Sequence, residues 1–383
     1  MTALAADVTV VGAGLTGIAL AYGLARRGAR VVLLDARDPL GQLAPSVAPL
    51  LAQQAILPGA GTAHLARLAV ESWSDFDGEL SDIAGCHSQY RRDGGLYLCR
   101  DSAALDARAA ALQVANRVAD RAAIDTEMLG AAALRRLVPQ LDSGIAGASY
   151  CADDARISPH ALRRALGFGL ARLGVDYRPH CRVQWVREQG GEWVVMAQDL
   201  AVGCGRVALT CGHAGSELAP SGALLPALVV HAGSVVQLQA LMPFLPFATA
   251  QLNQSGDGSV HLDTRGLGEG EQVDVAGIQA RATAFCRGLD GLRVVKTWHA
   301  DTLGFRDGSP CYQPLDGKRS CWLLAAPDSL FFVPVHAGIV ADAVMGRIDD
   351  NALCAFQSGQ PVPTLDTPTK RPAVGGRDTG SRN

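Results

Sequence analysis

The sequence has no large excess of either charge. Its formal net charge is −3 over 383 residues, so it lacks the basic field that nucleic acid attracts. The pairs Arg26–Arg27, Arg91–Arg92 and Arg163–Arg164 stand apart from one another and read as solvated faces of helices or loops. The 10 cysteines are scattered, with no C-x-x-C and no zinc-type spacing. A chain of this length needs no disulfide framework, so they read as reduced, mostly buried thiols. Only a few residues precede the first strand, no secretory signal fits there, and no apolar run is long enough to span a bilayer. A soluble, cytoplasmic protein is expected. There is no G-x-S-x-G elbow, no metal-ligand spacing and no internal repeat. Nucleophile-elbow hydrolases, zinc modules and solenoids are thereby set aside.

What is present is apolar bulk and one strong pattern. Hydrophobic residues make up 48% of the chain, enough for two cores, or for one large α/β core with an inserted second unit. Val8–Val11 read as a buried strand. Gly12, Ala13, Gly14, Leu15, Thr16 and Gly17 follow, and a helix opens there with small Ala21 and Ala25 toward the sheet. In that context G-x-G-x-x-G is a dinucleotide fingerprint. Gly12 permits the tight turn, Gly14 leaves room for a pyrophosphate, and Gly17 lets helix and strand pack closely. The helix N-terminus supplies free N–H groups to the phosphates. Asp35, followed by Ala36 and Arg37, ends the second strand, where a carboxylate can accept from both ribose hydroxyls. An acid there disfavours a 2′-phosphate, so NADP is not expected. The fingerprint alone leaves NAD and FAD open, and a plain NAD dehydrogenase remains an alternative.

Further along, residues 39–62 read as a long Pro/Gly-rich loop with a short helical piece, and 64–79 as an amphipathic helix. Residues 94–100 read as a strand and 101–141 as helical, ending near Pro139. Ser158 and Pro159 start a helix that Gly174 stops. Strands follow to residue 212, then a strand-rich region with a helix near 273–288. A buried strand at 320–326 precedes a closing helix over 334–348 opened by Pro334. From Gln357 the chain is nearly free of apolar residues, and a disordered tail over 357–383 is expected.

Four stretches together resemble a known family: the fingerprint with Asp35, "YRRDGGLYLCRD" (90–101), "ADDARISPHALRRALGFGLARLGVDYR" (152–178), and "DGSPCYQPLDG" (307–317) with the strand and helix after it. The chain is similar to the FAD-dependent amine and amino-acid oxidoreductases related to D-amino acid oxidase, glycine oxidase and sarcosine oxidase. The resemblance implies an α/β fold: a Rossmann-like FAD-binding domain with an interleaved α+β substrate domain on a mixed or antiparallel sheet. The implied FAD-binding segments are 1–85, 145–220 and 300–350; the substrate segments are 86–144 and 221–299. By the same resemblance Val183 lines the adenine side, Cys211 and Gly212 pass close to the ADP part, and Ser46 contacts a phosphate. Pro327, Asp328, Ser329 and Leu330 approach the flavin ring, toward which the closing helix points its N-terminus. The implied reaction is oxidation of a C–N bond in a small amine or amino acid by hydride transfer to flavin N5. The alternatives are a FAD-dependent 2-hydroxyacid dehydrogenase, or a FAD-binding subunit of a larger complex with a partner subunit or electron acceptor.

The catalytic positions depart from the family. Thr302 stands where the family often has a carboxylate-binding arginine, and Arg306 follows four residues on, about 13 Å along a straight strand. Arg306 is therefore either a displaced substrate contact or a surface arginine beside Asp307. Where some relatives place a lysine over the flavin, this chain offers His261, an electrostatic substitute or a hydrogen-bonded structural histidine. Tyr312, His231 and His299 are further candidate substrate contacts. Some relatives attach flavin through a cysteine near the region of Cys311, but the alignment puts Cys311 at a different strand position, so noncovalent FAD is expected.

Overall fold

The computed structural model describes residues 2–40, 48–50, 60–118, 126–223, 225–231, 234–238, 248–249, 252–254, 260–263, 286, 293–299, 302–327, 329–348, 353–354 and 356–357. The strand Thr2–Val11 lies at the centre of its main sheet, which is largely parallel. On one side it pairs with Val31–Leu34, which pairs in turn with Asp176–Arg178. On the other it pairs with Leu200–Leu209, which pairs with Cys321–Ala325. The chain thus leaves the central strand toward one edge and later returns on its opposite side. That reversal opens a crevice at the carboxyl ends of the strands. Register makes the crevice concrete: Leu323, Leu209, Val11, Leu34 and Arg178 form one row across the five parallel strands. Two antiparallel strands, Glu192–Ala197 and Val183–Gln189, extend from Leu200–Leu209, and Cys311–Pro314 closes the far edge.

The helix Leu15–Arg26 packs on this sheet and is buried from Thr16 to Ala25. Its small residues allow other helices to approach. Gly23 meets the closing helix, where any Cβ would lie 2.6 Å from Ala337 Cα. Four residues on, Arg27 pairs with Asp342 at 2.6 Å. Moving from Ala337 to Asp342 therefore follows the first helix from Gly23 to Arg27, so the two helices run the same way. Both begin beyond the carboxyl ends of parallel strands, Thr2–Val11 and Cys321–Ala325, with Leu200–Leu209 between them. Beyond them lie Ala60–Ala84 and Pro159–Arg172, the latter capped by Ser158 Oγ accepting from Ala161 N at 3.2 Å. Trp73, Leu80, Leu162 and Leu166 from these helices join one core with Ile18, Tyr22 and Val333.

A second set of sheets interleaves with the first. Gly95–Cys99, Gly147–Cys151 and Thr126–Gly130 form antiparallel pairs, with Ala248–Thr249 added parallel at one side. Leu252–Gln254, Val260–Asp263, Ser234–Leu238 and Val294–His299 make an antiparallel sheet. Val229–His231 pairs with Thr302–Gly304.

Two expectations change. Residues 101–141 are not helical throughout: the strand Thr126–Gly130 stands between helices Ser102–Val118 and Ala131–Leu137. Pairing with Gly147–Cys151 overrides local helix preference there. The closing helix is also interrupted. Val333–Val335 is α, His336–Val340 is a π turn with non-helical angles at Gly338 (φ −97, ψ −108), and Ala341–Met345 is α again. Of the helix expected near 273–288 only Cys286 is described, as an antiparallel bridge to Leu141; the tail beyond Gln357 lies outside the described residues.

Candidate cofactor site

Three loops leave the register row side by side. Gly12–Gly14 follows Val11, Thr210–Gly212 follows Leu209, and 326–332 continues the strand that carries Leu323. Strands about 4.8 Å apart put roughly 14 Å between Leu34 and Leu323, so one extended molecule could run across all of them.

The three glycines fill distinct roles. Gly12 has φ +109, and a Cβ there would lie 2.7 Å from Cys211 N. Gly17 packs on the Gly12 carbonyl and on Thr210. Thr210 ties this corner together, its hydroxyl donating to Gly12 O at 2.7 Å. Gly14 is different: it is exposed, and a Cβ there would meet nothing within 4 Å. Gly14 is also the N-cap of the first helix, which has no side-chain cap and no acid in its first turn. Its first-turn N–H groups are thus left without a side-chain cap, which suits a diphosphate.

Asp35 is half-buried beside this turn. Its Oδ2 accepts from Ala13 N and its Oδ1 from Arg37 N, both at 2.7 Å. Each oxygen keeps a lone pair for a ribose hydroxyl. Ala36 and Arg37 are exposed. Backbone bonds from His180 N to Arg37 O (3.1 Å) and Cys181 N to Asp35 O (2.7 Å) bring the chain leading to Val183 alongside. Gly212 is in the left-handed region (φ +66), and burial pushes the Cys211 thiol up to about 12, so Cys211 offers backbone rather than thiolate there.

At the other end, Pro327 and Ser329 are half-buried and Leu330 is buried. Pro327 abuts Gly304, so the strand Thr302–Gly304 touches this loop directly. Trp73 Nε1 donates to Phe331 O at 3.1 Å, anchoring the loop to the long helix. Ser46 and Asp328 lie outside the described residues.

A match to a family model decides what these loops belong to. Residues 7–343 match the family described as FAD dependent oxidoreductase (DAO). The chain belongs to that family. An opine oxidase subunit of Agrobacterium tumefaciens (strain Ach5) is 24% identical over 356 residues, covering 90% of this chain and 95% of the relative. Glycine oxidase of Bacillus licheniformis is 28% identical over 193 residues, covering 48% of each chain. The crystal structure of glycine oxidase from Geobacillus kaustophilus superposes with a TM-score of 0.82 at 19% identity, covering 94% of this chain and 100% of that one. At that identity the likeness bears on the fold. This DAO-family chain is a FAD-dependent oxidoreductase, and the open cradle at Gly14, the bare helix N-terminus and Asp35 all fit FAD's adenosine diphosphate.

For the catalytic candidates the geometry differs from expectation. Tyr312 is not at an opening. It is fully buried, its hydroxyl 3.1 Å from His336 Nε2 and its ring edge-on to Phe356. Pairing of Cys311–Pro314 with Cys321–Ala325 turns it into the core beneath the closing helix. Arg306 is exposed in a tight turn, Gly308 N bonding Phe305 O at 2.9 Å, so the segment does not continue as a strand. Asp307 instead accepts from Ser309 N and Oγ. The surface alternative describes Arg306. His261 is 2% exposed, on Val260–Asp263 opposite Gln237 and Asn253. Cys311 is buried with its thiol pushed up to about 12, which disfavours thiolate attack.

Sequence reading missed Thr210, Trp73 and His336. Each works through a residue more than 20 positions away, and no local spacing announces that. Among the described residues no His/Cys/Asp/Glu group could hold a metal, and no helix is long and apolar enough to cross a membrane.

Proposed function

We propose that this chain oxidises a C–N bond of a small amine or amino acid to an imine, which water then hydrolyses to a carbonyl product. The observation that carries the reading is the register row Leu323–Leu209–Val11–Leu34, which sets a diphosphate cradle and a ring-end loop on one crevice. Bound FAD supplies the two-electron acceptor. The chain's residues supply placement. The N–H groups after Gly14 bind the diphosphate, Asp35 accepts from the adenosine ribose, and Val183, Cys211 and Gly212 flank the adenylate through their backbone. Pro327, Ser329 and Leu330 bound the ring end. Phe331 and Phe332, each under a tenth exposed, keep water from beneath it. A neutral amine needs no side-chain base to give up hydride, which agrees with a site where orientation and field do the work. The parallel sheet carries the cofactor, and the interleaved antiparallel sheets cover the substrate.

Two relatives matched over nearly their whole length, from Agrobacterium tumefaciens and Rhizobium meliloti, are named as opine oxidase subunits, and they favour a further reading. In it the chain works with a partner subunit, which shapes the substrate pocket or takes the electrons. A 2-hydroxyacid substrate remains the chemical alternative. The test is to add amines, amino acids and hydroxyacids in turn to the FAD-loaded protein without oxygen. Bleaching of the flavin bands by amines or amino acids supports the proposal, and bleaching by hydroxyacids alone replaces it with the alternative. A protein that cannot be loaded with FAD overturns both.

A further inference from the structure

The closing helix carries a feature that the reaction as described does not use. Its π turn, His336–Val340, breaks the regular ladder at Gly338, and such turns persist only where surrounding structure holds them. On its outer side the holder is Arg27. That guanidinium donates to Ala337 O at 2.6 Å and Gly338 O at 3.1 Å, the carbonyls at the break. It also grips both oxygens of Asp342 at 2.6 Å and reaches Gly23 O at 2.8 Å. On the inner side His336 is locked against Tyr312. His336 N bonds Phe332 O at 2.9 Å, and Phe332 packs edge-on to Phe331. A shift of the π turn therefore moves the ring-end loop.

We propose that Arg27 is a positioning residue: through the π turn it sets where residues 329–335 sit against the flavin. The inference rests on the functional reading above. Arg27 follows directly on the helix whose other end cradles the diphosphate, so one side chain couples the two ends of the cofactor site. Arginine's five-donor fork holds three carbonyls and both carboxylate oxygens at once; lysine, with three donors on one nitrogen, cannot.

The test uses the full-length, FAD-loaded protein with Arg27→Met, Arg27→Lys and Asp342→Asn. Each is read for FAD affinity, for the flavin midpoint potential and band positions, and for melting temperature. The expected result is near-native FAD affinity, with the oxidised–reduced balance of bound flavin moved about threefold toward the oxidised form in Arg27→Met as the helix end withdraws. Arg27→Lys should fall between Arg27→Met and wild type. Unchanged potential and bands in Arg27→Met, or equal behaviour of Lys and Met variants, overturns the proposal. If Arg27→Met fails to fold, Asp342→Asn decides: it should shift the balance in the same direction, and no shift overturns the proposal. If the wild-type chain binds no FAD, the functional reading fails separately. The clamp is then read by hydrogen exchange over residues 333–340 of the unloaded protein, which Arg27→Lys should speed about tenfold and which would be unmoved if Arg27 holds nothing.

Discussion

Gly23 and Ala337 lie 314 positions apart in sequence and touch backbone to backbone: a Cβ on Gly23 would come within 2.6 Å of Ala337 Cα. This contact puts the closing helix beside the first, with both helix starts at the crevice. Gly23→Ala should therefore force the pair apart. Loss of about 1–3 kcal/mol is expected, with FAD affinity weakened because the first helix, whose N-terminus faces the diphosphate, is displaced. Denaturant unfolding with and without FAD measures both; native stability would mean that the helices are not in contact.

Gly14 and Gly12 should behave oppositely. At Gly14 a side chain meets open space, so Gly14→Val should leave the unloaded protein's melting temperature unchanged and abolish FAD binding. At Gly12, φ +109 and the Cys211 backbone at 2.7 Å make Gly12→Val destabilising with or without FAD. Melting curves of both variants check this, and a destabilised Gly14→Val protein would contradict the open cradle.

Removing the Asp35 carboxylate should loosen the fingerprint turn and lose the ribose contact together. Two charge-assisted bonds from Ala13 N and Arg37 N end on it. Asp35→Ala is expected to weaken FAD binding by about 1.5–3 kcal/mol, with Asp35→Asn intermediate. Equilibrium titration with FAD measures the difference, and equal affinity in all three proteins would remove Asp35 from the site.

His336 makes stability depend on pH. Burial pushes its pKa down to about 3, from an ordinary value of 6.5. As pH falls below that ordinary value the unfolded chain takes up the proton and the folded one does not. Stability from this group is thus present above 6.5 and is lost as pH falls toward 3, by up to about 1.4 kcal/mol per pH unit. From about pH 7 to about pH 4 the unfolding free energy of wild type should fall relative to that of His336→Leu. Parallel curves would show that His336 is not the titrating group.

The fingerprint turn was legible because its signals are local. Gly12, Gly14, Gly17 and Asp35 occupy one βαβ unit of about thirty residues, and turn, helix and strand chemistry predict their roles directly. Ser158 before Pro159 announced the helix that begins there. The strand Thr126–Gly130 was not legible, since its conformation depends on a partner strand rather than on its own residues. The π turn was hidden too, because the residues that hold it, Arg27 and Tyr312, are far away along the chain.

Sequence alone determined, through the fingerprint and the resemblance of the later segments, that the chain is a FAD-dependent oxidoreductase. Backbone freedom at glycine and an acid at a strand end are properties of single positions, visible wherever they occur. Only the tertiary structure decided that Tyr312 is core and Arg306 surface, and that the closing helix starts beside the first. Those outcomes depend on strand register and on how closely two helices can approach. The pairing of Tyr312 with Leu324 and the turn at Phe305–Gly308 set the first two, and the approach of Gly23 to Ala337, hundreds of positions apart, sets the third; none is announced by a residue pattern.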